Sequence, residues 1–147
     1  MKPRHALVVP LLALPVFAQA EKPLRRKDLP AAVEKTVARE LERATLKALS
    51  SGPCEGSNKG TCYEVETLRG DKTRDLIVDS GGTVVEVEEG IAVADVPEAV
   101  KTAAAKLGKV LTAEKITRDG ALRYELVIEK AGKKSEHVFE PGGAPRK

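Results

Sequence analysis

Aromatic side chains are scarce in this sequence. The 147 residues include no tryptophan, two tyrosines and two phenylalanines, and beyond residue 20 only Tyr63, Tyr124 and Phe139 remain. Any core is therefore aliphatic and of modest volume. Histidine is nearly missing too, with His137 alone beyond the N-terminal segment. Two cysteines and one such histidine are too few for a structural zinc site. No Gly-x-Ser-x-Gly elbow, Gly-rich phosphate loop or His-Glu-x-x-His helix occurs. Acidic pairs abound, but their spacing places them on an open sheet, not in an apolar pocket that would raise one pKa. No catalytic residue, metal ligand or cofactor is assigned. Tyr63 and Tyr124 read as packing anchors, and His137 as a partly buried inward residue.

A long apolar run is also lacking. Ala6 to Phe17 spans about a dozen residues, against roughly 20 for a membrane helix, and Pro10 and Pro15 interrupt it. What precedes and follows it is a signal-peptide pattern. Lys2 and Arg4 give a basic start, and Ala18-Gln19-Ala20 supplies the small-x-small site, so residues 1–20 are expected to be removed before Glu21. The competing reading is a retained anchor. Export implies a periplasmic or secreted location, and there Cys54 and Cys62, eight apart in a Gly/Ser/Asn loop, point to a disulfide.

Charge of either sign is not in large excess, with 25 basic and 22 acidic residues; this is no nucleic-acid footprint. Its distribution is uneven. Lys22, Arg25, Arg26 and Lys27 make a basic linker over 21–27, and Arg146 and Lys147 close a short tail over 144–147. The body between them is acidic.

What the chain does contain is similarity to itself. Asp28-Leu29-Pro30-Ala31-Ala32-Val33 recurs as Asp95-Val96-Pro97-Glu98-Ala99-Val100. Tyr63-Glu64-Val65 recurs as Tyr124-Glu125-Leu126, and Asp79-Ser80-Gly81-Gly82 as Glu140-Pro141-Gly142-Gly143. Asp28 and Asp95 are placed as helix N-caps, with Pro30 and Pro97 in the first turn. Leu29, Val33, Val37 and Leu41 mark one helix stripe; Val96, Val100, Ala104 and Leu107 mark another. Strands are predicted over 44–50, 62–69, 73–79 and 83–88, then over 110–118, 121–130 and 134–139. The expected fold class is α+β: two tandem repeats, 28–90 and 91–143, each one helix packed on an antiparallel sheet, with about four strands and then three.

These segments, in this order, resemble the PepSY-like periplasmic proteins. The Leu29-Pro30-Ala31-Ala32-Val33 helix start, the Tyr63-Glu64-Val65-Glu66 strand and Asp79-Ser80-Gly81-Gly82-Thr83-Val84-Val85 carry the likeness, which covers about residues 28 to 143. The resemblance implies tandem helix-on-sheet units similar to the β-lactamase inhibitor protein fold. It also implies a secreted, non-enzymatic role, with peptidase inhibition or regulation as the suggested activity.

Strand alternation assigns faces without the family. Tyr63, Val65, Thr67, Leu76, Val78, Val85, Val87, Tyr124, Leu126, Ile128, His137 and Phe139 are expected under the helices. The opposite face then carries Glu64, Glu66, Asp75, Asp79, Glu86, Glu88, Glu125, Glu129, Glu136 and Glu140, with Ile77, Val127 and Val138 among them. Such a face is either a solvated surface that discourages edge pairing or a docking surface for an unknown basic protein or peptide. Weak divalent-cation binding is a third reading, without a compact Asp-rich loop to support it. For the whole protein the readings are a binding or inhibitor module, an envelope enzyme with an unrecognised site, or a structural or stress protein without a single partner.

Overall fold

The structure is a computed structural model that describes residues 22–56 and 59–146. The expected signal peptide, residues 1–20, lies outside the described residues. Among the described residues eight strands follow one another: β1 (Lys22–Pro23), β2 (Thr45–Pro53), β3 (Thr61–Arg69), β4 (Lys72–Asp79), β5 (Val84–Ile91), β6 (Lys109–Arg118), β7 (Ala121–Lys130) and β8 (Lys133–Phe139). Two short helices interrupt them, α1 (Ala31–Glu40) and α2 (Glu98–Ala105). All eight strands belong to one sheet in chain order, and every neighbouring pair is antiparallel.

This corrects the expected α+β pair of helix-plus-sheet repeats. The protein is predominantly β, one continuous sheet with two short helices. The reason lies in β5, which does not end at Glu88 but runs on through Glu89, Gly90 and Ile91. Its outer edge then pairs with β6 from Glu86↔Arg118 to Ile91↔Ala113. Unpaired backbone N–H and C=O groups along that edge would be costly and sticky, so the two groups of strands fuse. Gly90 lies in this extension, where a Cβ would sit 2.7 Å from the Thr73 hydroxyl on β4.

Both helices lie on the same sequence-predicted face. Val33 and Val37 of α1 pack over Leu49, Val65, Leu76 and Val78. Val100 and Ala104 of α2, with Val96, pack over Ala113, Tyr124, Leu126, Ile128 and Phe139. Each fully buried valine or leucine contributes about 2 kcal/mol by leaving water. Pro30 and Pro97, not Asp28 and Asp95, occupy the N-cap positions; the two aspartates end 3-10 turns just before. Leu107, expected on the second stripe, is exposed because α2 has already ended. Val84, not Val85, packs on the core, since a bulge between Ile77↔Glu86 and Val78↔Val84 takes up the extra residue. Residues 22–29 lie beside the first core. Lys22 and Pro23 pair with Ser51 and Ser50, Leu24 packs on the core, and Arg26 forms an ion pair with Glu34 of α1.

Cys54 and Cys62 are joined by a disulfide with a Cα–Cα separation of 4.8 Å, which closes the β2–β3 connection. Among the described residues no helix is long and apolar enough to cross a membrane.

Two glycine turns fasten the helix starts to the sheet. Gly82 N–H donates to the Asp79 carbonyl at 2.9 Å, and Gly143 N–H to the Glu140 carbonyl at 2.8 Å. Both glycines have positive φ, +84° and +86°, and a Cβ on either would lie 2.5 Å from a helix carbonyl, that of Ala32 or Ala99. Gly120 also has positive φ but open space around it. Gly82→Ala and Gly143→Ala should therefore each destabilise by more than the roughly 1–3 kcal/mol of backbone strain that Gly120→Ala incurs. Urea unfolding of the three variants checks this; equal losses would contradict the close packing of turn on helix.

Candidate functional site

The two sides of the sheet treat charge differently. On the helix side, charges are paired in a chain. Glu40 at the end of α1 accepts from Arg74 Nε at 2.7 Å and from Arg69 Nη2 at 3.1 Å. Arg74 Nη1 donates to Glu89 Oε1 at 2.6 Å, and Lys115 Nζ lies 2.8 Å from Glu89 Oε2. The hydrogen bond from Lys115 is the main cause that holds the Glu89 carboxyl below the usual range. This ladder crosses β4, β5 and β6 between the two apolar clusters.

On the helix-free side the register brings carboxyls together. Glu66, Asp75 and Glu88 are successive cross-strand partners on β3, β4 and β5. Glu64, Ile77 and Glu86 form the parallel row, which ends at Arg118 on β6. Further along, Glu114 of β6 lies opposite Glu125 of β7, and Glu125 opposite Val138 of β8. Val127 pairs with Glu136, and Glu129 with Lys134. Like charges directly opposite destabilise a sheet, so this arrangement has a cost that the helix side avoids.

Burial raises that cost. Glu64, Glu86 and Glu125 are buried, as are Ile77, Val127 and Ile116, so this face is not simply bathed in water as alternation alone suggested. Neighbouring side chains shade one another. Over Gly90, Thr73 Oγ1 reaches from β4 to Glu114 Oε1 on β6 at 3.3 Å. Desolvation raises the pKa of Asp75 to about 6, with Glu66 and Glu114 adding to it while the Thr67 N–H, 3.1 Å away, opposes it. Desolvation also raises Glu125 to about 7, helped by Glu136, Glu114 and Glu86. Glu88 is pushed to about 9 by desolvation and then by the carboxylates around it. Glu88 and Glu86 share a hydrogen bond, and burial favours a proton held by this pair. Glu114 is raised by desolvation, against the Thr73 hydrogen bond.

Cations reach only the margins of this cluster. Arg118 Nε lies 2.5 Å from Glu86 Oε2, too bent for a hydrogen bond, while its Nη2 donates to Glu86 Oε1 at 3.3 Å. Arg118 also lies 4.0 Å from Glu55 in the disulfide loop. The Arg123 guanidinium is 3.8 Å from Glu140, which also accepts from Arg146 at 3.0 Å. Asp79 is used locally, accepting from the Gly81 and Thr83 N–H groups at 2.9 Å. Of the expected face residues, Asp79 and Glu140 therefore serve turns and tail, and Glu129 and Glu136 lie towards the outer β7–β8 end. Glu114, Ile116, Arg118 and Arg123 were missed by sequence reasoning. The signal was present in Glu114-x-Ile116-x-Arg118, but Ala113, Lys115 and Thr117 on the other parity are no more apolar, so alternation named neither side.

His137 lies on the helix side of β8, half-buried, with Nε2 2.8 Å from Ser135 Oγ and its ring 6.4 Å from Phe139. No described residue hydrogen-bonds its other ring nitrogen, so the third member of a Ser-His-Asp arrangement is not in place among the described residues. Among those residues, no group of three or more His, Cys, Asp or Glu side chains is positioned to hold a metal ion.

No protein-family model matches the chain, and no curated protein matches it either. Solved structures do. A protein from Bacteroides eggerthii described as periplasmic has a TM-score of 0.62 at 14% identity, over 81% of this chain and 86% of that one. A DUF2874 family protein from Bacteroides uniformis has a TM-score of 0.61 at 17% identity, over 80% and 86%. A BLIP-like protein from Bacteroides fragilis has a TM-score of 0.55 at 18% identity, over 79% and 82%. The fold is BLIP-like. At such identities the likeness is one of fold alone, and the BLIP-like sheet is the part of the sequence resemblance that these structures support.

The raised carboxyls of the BLIP-like sheet make stability depend on pH. Each keeps its proton in the folded state after the unfolded chain has lost it, so its contribution is complete below the ordinary carboxylate pKa and is lost as pH rises through the folded value. With folded values of about 6, 7 and 9 for Asp75, Glu125 and Glu88, stability should fall from pH 5 to pH 9. Glu89, shifted downward, acts only at lower pH. Glu125→Gln should remove a loss on the order of 3 kcal/mol from that interval, measured as urea unfolding free energy against pH. A flat wild-type profile would contradict the buried cluster.

Proposed function

We propose that this protein is an exported, non-enzymatic, PepSY-like binding module of the cell envelope, and that its helix-free sheet face docks a basic protein partner. The partner class that suits the reading is a peptidase, which the module would inhibit or regulate. The observation that carries this is the charge asymmetry of one sheet: the helix side neutralises its charges in a ladder, while the other side gathers carboxyls around Ile77, Ile116 and Val127 with cations only at its edge. Carboxyls placed opposite one another repel, and a cationic partner would relieve that repulsion. Apolar residues between the carboxyls supply contact area once water is expelled. The signal-peptide pattern, and the periplasmic description of a protein with this fold, support an envelope location. PepSY affiliation rests on the Leu29-Pro30-Ala31-Ala32-Val33 and Tyr63-Glu64-Val65 segments. A solvated and inert face is the reading this proposal displaces.

Capture from envelope extract by the mature chain, compared with a Glu64→Gln, Glu66→Gln, Glu125→Gln, Glu129→Gln variant of unchanged circular dichroism, tests the proposal. A basic partner retained by the wild type and lost by the variant is the expected result, with an association rate that falls steeply from low to high salt. Equal recovery by both proteins, or a rate indifferent to salt, would overturn the docking face.

A further inference from the structure

Among the buried carboxyls of the acidic face one differs from the rest, while the more exposed Glu66, Glu129 and Glu136 also lack a described hydrogen bond or ion pair. Glu86 has Arg118, Glu88 has Glu86, Glu114 has Thr73, and Asp75 has the Thr67 N–H. Glu125 is 9% exposed, and no described hydrogen bond or ion pair reaches its carboxyl. Every charged neighbour that acts on it is another carboxyl: Glu114 opposite it on β6, Glu136 from β8, and Glu86 from β5. Glu88 of β5 interacts with it in turn, and Asp75 of β4 lies beyond Glu88. The one cation on its own side of β7, Arg123, lies instead against Glu140 at 3.8 Å. Its carboxyl thus faces other carboxyls with no donor from the described residues, Glu114 lying directly opposite, and like charges so placed destabilise a sheet.

We propose that Glu125, with Glu114 and Glu88 beside it, is the seat for a single lysine or arginine side chain presented by the protein partner. This rests on the docking-face reading and names the point on that face where specificity lies. Charge complementarity selects the occupant. A guanidinium or ammonium supplies the missing donors, and its aliphatic stem suits the apolar surroundings given by Ile116 and Val127. Seating the cation favours the ionised carboxyls, so protons leave as the partner binds. Affinity should accordingly rise with pH over the interval in which Glu125 and Glu88 hold protons in the free protein, and level off above it.

The test is an NMR titration of the mature chain with the pentapeptide acetyl-Gly-Ser-Arg-Ser-Gly-amide, against the same peptide with neutral citrulline in place of arginine. The arginine peptide should shift amides of β5, β6 and β7 and the Glu125 carboxyl carbon, and release protons detectable from the buffer dependence of the binding heat. Glu125→Gln should weaken binding about tenfold, the effect of about 1.4 kcal/mol, while Glu42→Gln, on the exposed turn after α1, leaves it unchanged. Equal binding of the citrulline peptide, or full binding by Glu125→Gln, overturns the seat. If Glu125→Gln still binds and a Glu64→Gln, Glu66→Gln, Glu129→Gln, Glu136→Gln variant does not, the docking face stands and the seat alone fails. Calcium ions producing the same shifts at lower concentration than the peptide would overturn the assignment to a basic side chain.

Discussion

Backbone pairing between β5 and β6 is the contact that holds the architecture in one piece. It spans Glu86↔Arg118 to Ile91↔Ala113 and joins two groups of strands that each carry one short helix. Neither helix is long enough to cover more than part of a sheet, and each apolar cluster has only a few large side chains. Fusing the edges removes two rows of unpaired backbone groups and lets the Glu40–Arg74–Glu89–Lys115 ladder bridge the space between the clusters. Small cores need such support, because the fraction of surface buried falls as domains get smaller.

The same fusion creates the face opposite the helices. Once β3 to β8 are in register, the residues not under a helix are forced side by side, and many of them are acidic. Without the β5–β6 pairing, the carboxyls of β3–β5 and those of β7 would lie on separate sheets. Gly90 and the Thr73–Glu114 hydrogen bond across it show how closely the strands approach there. Burial in this sheet, with the carboxylates around them, raises the pKa values of Glu125 and Glu88. A binding role for this side is a reading of its physical imbalance: what is costly to fold is readily relieved by a cation.

Much of the local structure was legible in the sequence. The helix stripes Val33/Val37 and Val100/Ala104, the strand positions and the Cys54–Cys62 bridge rest on short-range periodicity and spacing, which act within a few residues. The turns at Gly82 and Gly143 share a sequence pattern because both must bring a backbone without Cβ against the start of a helix. The single sheet was not legible, because Glu88-Glu89-Gly90 reads as a strand end; only the edge of β6 explains why the strand continues. The bulge that exchanges Val84 for Val85 has the same origin, in pairing between strands. On the face itself, alternation found Glu64, Glu86, Glu88 and Glu125 but missed Glu114 and Arg118, since β6 is polar on both parities. It also treated the carboxyls as hydrated, whereas burial depends on the whole sheet.

A carbon-13 NMR titration of the individual glutamate carboxyls in the free mature protein probes this imbalance without any partner. Glu125 should titrate near 7 and Glu88 near 9. Ordinary carboxylate values for both would mean that the helix-free side is hydrated and electrostatically relaxed, and that fusing the two groups of strands leaves no strained acidic face behind.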